Sequence, residues 1–155
     1  MASKTYPIGK TAIVIVDPYN DFMSHWGKLW PLLRKVSLKY NVRENLKKIV
    51  TAGRENGVLI AYAPHLHYVP GQFSERKYLH PSHVGIKTAR VFEKGKFGSR
   101  FYDSLLPLQG DLISSCHSCS SGFADTDLHE QLTQNDITHI VIIGYTSNTC
   151  VEATA

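Results

Sequence analysis

Two residues of this 155-residue chain stand where chemistry is easily done. Asp17 closes the β-branched run TAIVIVD, and Cys150 follows the apolar run ITHIVIIG after a turn of small and polar residues, YTSNT. If both runs are parallel strands, their side chains emerge at one sheet edge, where a carboxylate can take a thiol proton. A cysteine at the point where a strand turns into a helix also meets the helix dipole and free amides, which favour thiolate. The plain alternatives are a buried inert thiol and a loop-capping aspartate, with Asp21 a rival for either aspartate role.

Other groupings compete. Cys116-His117-Ser118-Cys119 is a C-x-x-C, the spacing of a dithiol redox site, although SSGF rather than a helix start follows it. His65 and His67, with His80 and His83, make a histidine-rich stretch that could ligate zinc or iron, or could bond loop carbonyls instead. Of the aromatic residues, Trp26, Trp30, Tyr62, Tyr68, Phe73, Tyr78 and Phe123 suit either a wall for a planar substrate or a core. His129 and His139 read as a surface helix residue and a strand-edge residue.

The elements that must position these groups follow from hydrophobic pattern. TAIVIVD and VLIAYA (58–63) lack polar alternation, as strands covered on both faces do. Between them, apolar positions from Pro31 to Asn56 recur at three and four, which predicts one long amphipathic helix or two with a break near Asn41. Lys35, Lys39, Arg43, Lys47 and Lys48 form its solvated face. Pro64 to Gly110, punctuated by proline and glycine, reads as an active-site excursion with a short helical piece. A brief strand over Asp111–Ser115, a helix over Asp127–Gln134 capped by Asp125 or Thr126, and a strand over Ile137–Gly144 complete the order. Alternating strands and helices predict a parallel α/β sheet with right-handed crossovers.

Composition bounds the function. With 43% hydrophobic residues and 19% charged, the chain can bury one domain's core over residues 1–155, which excludes a disordered tail or a fibre. A net charge of +4, spread along the chain, implies no nucleic-acid partner. No apolar run reaches the roughly 18 residues of a membrane span. Three unevenly spaced cysteines suit a reducing compartment, so a cytoplasmic location is expected.

VIVDPYNDF, SSGFADTDL and IGYTSNTCVEATA together resemble, in order and spacing, the three signatures of the isochorismatase-like cysteine hydrolases. That superfamily includes nicotinamidases, carbamoylsarcosine amidohydrolases and ureidoacrylate amidohydrolases. The resemblance implies a three-layer α/β/α, Rossmann-like parallel sheet, here shortened at the C-terminus. It implies cleavage of a C–N bond in a small amide or ureido compound through an acyl-enzyme, with Cys150 as nucleophile and Asp17 as base and acid. It further implies a cis peptide at Tyr145–Thr146 and an oxyanion hole of the Thr146 and Cys150 amides. Phe22, Trp26, His65 and Phe123, close to the motifs, are assigned to the substrate pocket.

The family's third catalytic residue is a lysine ahead of the S-x-F motif, and DLISSCHSCSSGF (111–123) has none. His117 occupies that position and is taken as its stand-in. Nicotinamidases hold a metal through an Asp-x-His pair and further histidines; here His65 replaces the aspartate, which leaves His65, His67 and His80 as weak ligands and no cofactor as the expectation. A small-molecule partner and a homo-oligomer are expected, since shortened sheet cover gives a reason to associate. The rival functions are a vinyl-ether hydrolase of the isochorismatase type, a silent binding protein with the same fold, and a C-x-x-C oxidoreductase.

Overall fold

A computed structural model describes residues 6–118 and 120–155. Four strands, β1 (Thr11–Val16), β2 (Leu59–Ala63), β3 (Leu112–Ile113) and β4 (His139–Gly144), form one parallel sheet in the order β3-β2-β1-β4. The central strand β1 pairs with β2 from Ala12↔Leu59 to Val16↔Ala63 and with β4 from Thr11↔His139 to Val16↔Gly144. These registers bring the carboxyl ends of β1, β2 and β4 level, so the residues that follow them meet at one edge.

The two faces of the sheet follow the two-residue period of a strand. Ile13, Ile15, Ile60 and Tyr62 join a core with Leu46 and Val50 of helix α3 (Val42–Glu55). The intervening Ala12, Val14, Val16, Ala61 and Ala63 pack with Leu128 and Leu132 of helix α5 (Leu128–Gln134). Over β1 and β2 both sheet faces are thus covered, which makes the α/β/α sandwich and explains why β1 reads as an unbroken apolar run, while β4 at the edge stays partly exposed.

The long predicted helix is two: α2 (Trp30–Lys39) and α3, separated at Asn41, which turns the chain with φ 49°. A short helix α1 (Asn20–Met23) follows β1, and α4 (Pro81–Ala89) is the helical piece of the excursion. Three boundaries differ from expectation. The third strand is only Leu112–Ile113, and the fourth starts at His139, because Thr138 spends its amide on Lys10 before the ladder begins. The cap position of α5 is Asp127, not Asp125 or Thr126. Its carboxylate accepts from the Ser115 amide at 2.6 Å, tying α5 to the loop after β3 instead of capping its own helix. Beyond β4 the chain forms a π-helical turn (Ser147–Val151) and a final helical turn α6 (Glu152–Thr154).

Candidate active site

The site is built where β1, β2 and β4 end. Asp17 leaves β1 with φ 52°, its amide still bonded to Ala63 at 3.2 Å, and its side chain is fully buried. The segment after β3 runs beside the segment after β2: the amide of His117 donates to Pro64 at 3.0 Å, and Leu66 donates to His117 at 2.8 Å. This clamp delivers the His117 ring, also fully buried, to Asp17, with Nε2 3.0 Å from Oδ1. Among the described residues, the carboxylate's Oδ2 and the ring's Nδ1 have no hydrogen-bond partner.

Cys150 arrives from the other side. Gly144 ends β4 with φ 134°, and a Cβ there would collide with the Val16 carbonyl, so glycine is required where β4 presses on β1. The next peptide bond, Tyr145–Thr146, is cis. The Tyr145 ring is buried against Phe22 (centroids 5.5 Å apart, 12° between planes), and its hydroxyl lies 3.3 Å from Ser37 of α2. The turn that follows, held by the Thr149 and Val151 amides donating to Thr146, places Sγ beside Asp17 and His117. Candidate ligating atoms of the three residues all lie within 4.8 Å of one another.

The electrostatics of the thiol correct the sequence-based expectation. Burial first and the Asp17 carboxylate second push Cys150 up to about 12, against weaker opposing hydrogen bonds from Thr149 and the Thr146 backbone. Cys150 sits inside an irregular turn followed by a single turn of helix, so there is little dipole to favour thiolate. The resting sulfur is a protonated thiol.

A cavity of about 410 Å³ opens onto Asp17, Thr146 and Cys150. Phe22 and His65 line it as expected, and burial lowers the His65 imidazole below its ordinary value. Trp26 and Phe123 do not line it. Trp26 is 86% exposed in the loop after α1, and Phe123 packs with the α5-side core on the other face of the sheet. The wall is instead aliphatic and aromatic, from Leu29, Leu32, Ile86, Val91 and Phe92. Of these, Leu32 belongs to the apolar recurrence from Pro31 to Asn56, and the others carried no sequence signal beyond the short helical piece expected between Pro64 and Gly110.

Asp21 is no rival to Asp17. It is buried, with Oδ1 accepting from Lys28 at 3.0 Å and Oδ2 from Phe92 at 2.6 Å, so it ties α1 to the loop before α2 and to the pocket wall. His65, His67 and His80 do not form a metal-ligand set. His65 Nδ1 lies 2.9 Å from the Leu66 carbonyl, His67 Nε2 3.1 Å from the Tyr19 hydroxyl, and His80 Nδ1 2.6 Å from Ser82. His83 bonds the Ser118 carbonyl. Among the described residues, the one metal-sized grouping is Asp17, His117 and Cys150. Cys116 is exposed, and Cys119 of the C-x-x-C lies outside the described residues.

A family model described as an isochorismatase domain matches residues 11–155. A ureidoacrylate amidohydrolase RutB of Cronobacter turicensis is 30% identical over 161 residues, covering 97% of this chain and 68% of the relative. N-carbamoylsarcosine amidase from Thermoplasma acidophilum shares the fold with a TM-score of 0.71 at 29% identity, over 94% of this chain and 73% of that one. A cysteine hydrolase from Pseudomonas syringae has a TM-score of 0.76 at 23% identity, over 96% and 65%. The chain therefore spans about two thirds of the length of these relatives.

Proposed function

This chain belongs to the isochorismatase domain family, and from that membership we propose that it is a cysteine hydrolase of a small amide or ureido compound. The observation that carries the reading is the gathering of Asp17, His117 and Cys150 on one sheet edge, with the Asp17 oxygen Oδ2 unpartnered among the described residues. The amidohydrolase and amidase among its relatives support the same reaction class.

In this reading Asp17 takes the Sγ proton as the sulfur attacks the carbonyl carbon. The thiolate forms only as it is used, in a site too apolar to hold it at rest. Negative charge then grows on the carbonyl oxygen, toward the Thr146 and Cys150 amides. As the C–N bond breaks, Asp17 returns the proton to the departing nitrogen, and ammonia or an amine leaves a thioester on Cys150. Water attacks that thioester, giving one proton to Asp17. The C–S bond breaks, the sulfur recovers the proton, and a carboxylic acid departs. His117 fixes Asp17 through Oδ1 and so keeps Oδ2 for the proton. It does the orienting work of the family's lysine without a permanent cation.

The test is release of ammonia from a panel of primary amides and ureido compounds. Turnover that disappears in both Asp17→Asn and Cys150→Ala supports the proposal. Turnover that survives Cys150→Ala overturns it and favours a reaction needing the aspartate alone, such as vinyl-ether hydrolysis. Absence of turnover across the panel favours a binding protein.

A further inference from the structure

Resting on that reading, we propose that the acyl part of the substrate is an uncharged, apolar body, and that amides bearing a carboxylate are rejected. Among the described residues lining the cavity, none is Lys or Arg. Two of the cations beside the wall are turned to other partners. Lys28, next to Leu29, donates its ammonium to the Arg90 carbonyl, and the Arg90 guanidinium, next to Ala89, pairs with Glu93 at 2.5 Å. Lys87, next to Ile86, is exposed on α4 and outside the lining.

Of the lining histidines, His65 is held below the ordinary imidazole range by burial, and His80 is tied back to its own helix, its Nδ1 accepting from the Ser82 amide at 3.3 Å. At the cavity floor stands the Asp17 carboxylate, which repels a second anion across a site of low polarity. A substrate carboxylate would therefore lose water and find no cation, only the Ser82, Ser120, Thr146 and Thr149 hydroxyls that also line the cavity. The wall of Leu29, Ile86, Val91 and Phe92, with Leu32 78% exposed at the rim, instead offers apolar contact along the length of an acyl chain. About 410 Å³ is ample for a six-carbon chain or a ring.

The experiment compares hexanamide with adipic acid monoamide, in which a carboxylate replaces the terminal methyl. Two readouts are taken: ammonia release by the unmodified chain, and calorimetric binding to Cys150→Ser. The expected result is a preference of at least about 100-fold for hexanamide in kcat/KM and in Kd. Leu32→Arg, a change at an exposed rim position, should narrow that preference at least about tenfold. Equal or better use of the monoamide, or no binding of hexanamide at millimolar concentration, overturns the inference. Preferential binding of hexanamide without turnover of either compound upholds the inference while the hydrolase reading fails. Turnover with the monoamide preferred has the opposite meaning.

Discussion

At the residue scale, the feature that sets the chemistry is a protonated thiol beside a buried carboxylate. With Cys150 pushed up to about 12, alkylation by iodoacetamide at neutral pH should be at least about tenfold slower than for a small free thiol. Because the Asp17 charge raises that value, Asp17→Asn should speed alkylation while abolishing turnover, as peptide-resolved labelling rates will show. An activated resting thiolate would give the reverse. The same shift bears on stability. A thiol whose folded value lies above its unfolded one stabilises the fold below about pH 9, and that contribution is lost as pH rises toward about 12. Cys150→Ser should accordingly lose less stability than the unmodified chain between those limits in denaturant titrations. For His117, replacement by Ala should lower kcat by about 10- to 100-fold, and His117→Gln, which keeps a donor for Asp17, should recover part of it. Asp17 and Cys150 were legible from strand ends, and His117 from its place before Phe123, but the thiol's protonation was not. It depends on burial of Cys150 against a core of β1, β2 and α5 residues distant in sequence.

At the element scale, the site depends on loops held to the sheet. Asp21 secures two of them through the Lys28 and Phe92 amides, so Asp21→Ala leaves the buried Phe92 donor and the part-buried Lys28 donor unsatisfied. A loss of roughly 2–4 kcal/mol is expected in chemical denaturation. Gly144→Ala should be comparably damaging, since its φ of 134° and contact with the Val16 carbonyl leave no room for a methyl group. The buried strands β1 and β2, the edge strand β4 and the break at Asn41 could be read from the sequence, because apolar runs and a left-handed asparagine leave strong local patterns. Trp26 and Phe123 were misplaced because closeness to a motif in sequence says nothing of direction. The loop after α1 turns Trp26 outward, and the chain after His117 carries Phe123 to the far face of the sheet. The N-cap of α5 failed for a related reason, as Asp127 serves the Ser115 loop.

At the scale of the whole molecule, β4 is an edge strand whose outward surface includes Ile140 at 36% and Val141 at 40% exposure. An apolar edge of this kind favours association, and a homo-oligomer is the expected state. Light scattering at micromolar concentration should give a mass above 17.4 kDa, and a stable particle of that mass would contradict it. No described helix is long and apolar enough to cross a membrane. In the proposed reading, the layered fold, the registers of β1 with β2 and β4, and the cavity over their ends serve one event, transfer of an acyl group to Cys150. Acid quench of the chain during turnover of an amide, followed by peptide mass mapping, tests that event most directly. An acyl adduct on the Cys150 peptide, absent in Asp17→Asn, is the predicted result; full turnover with no adduct, persisting in Cys150→Ala, would contradict it.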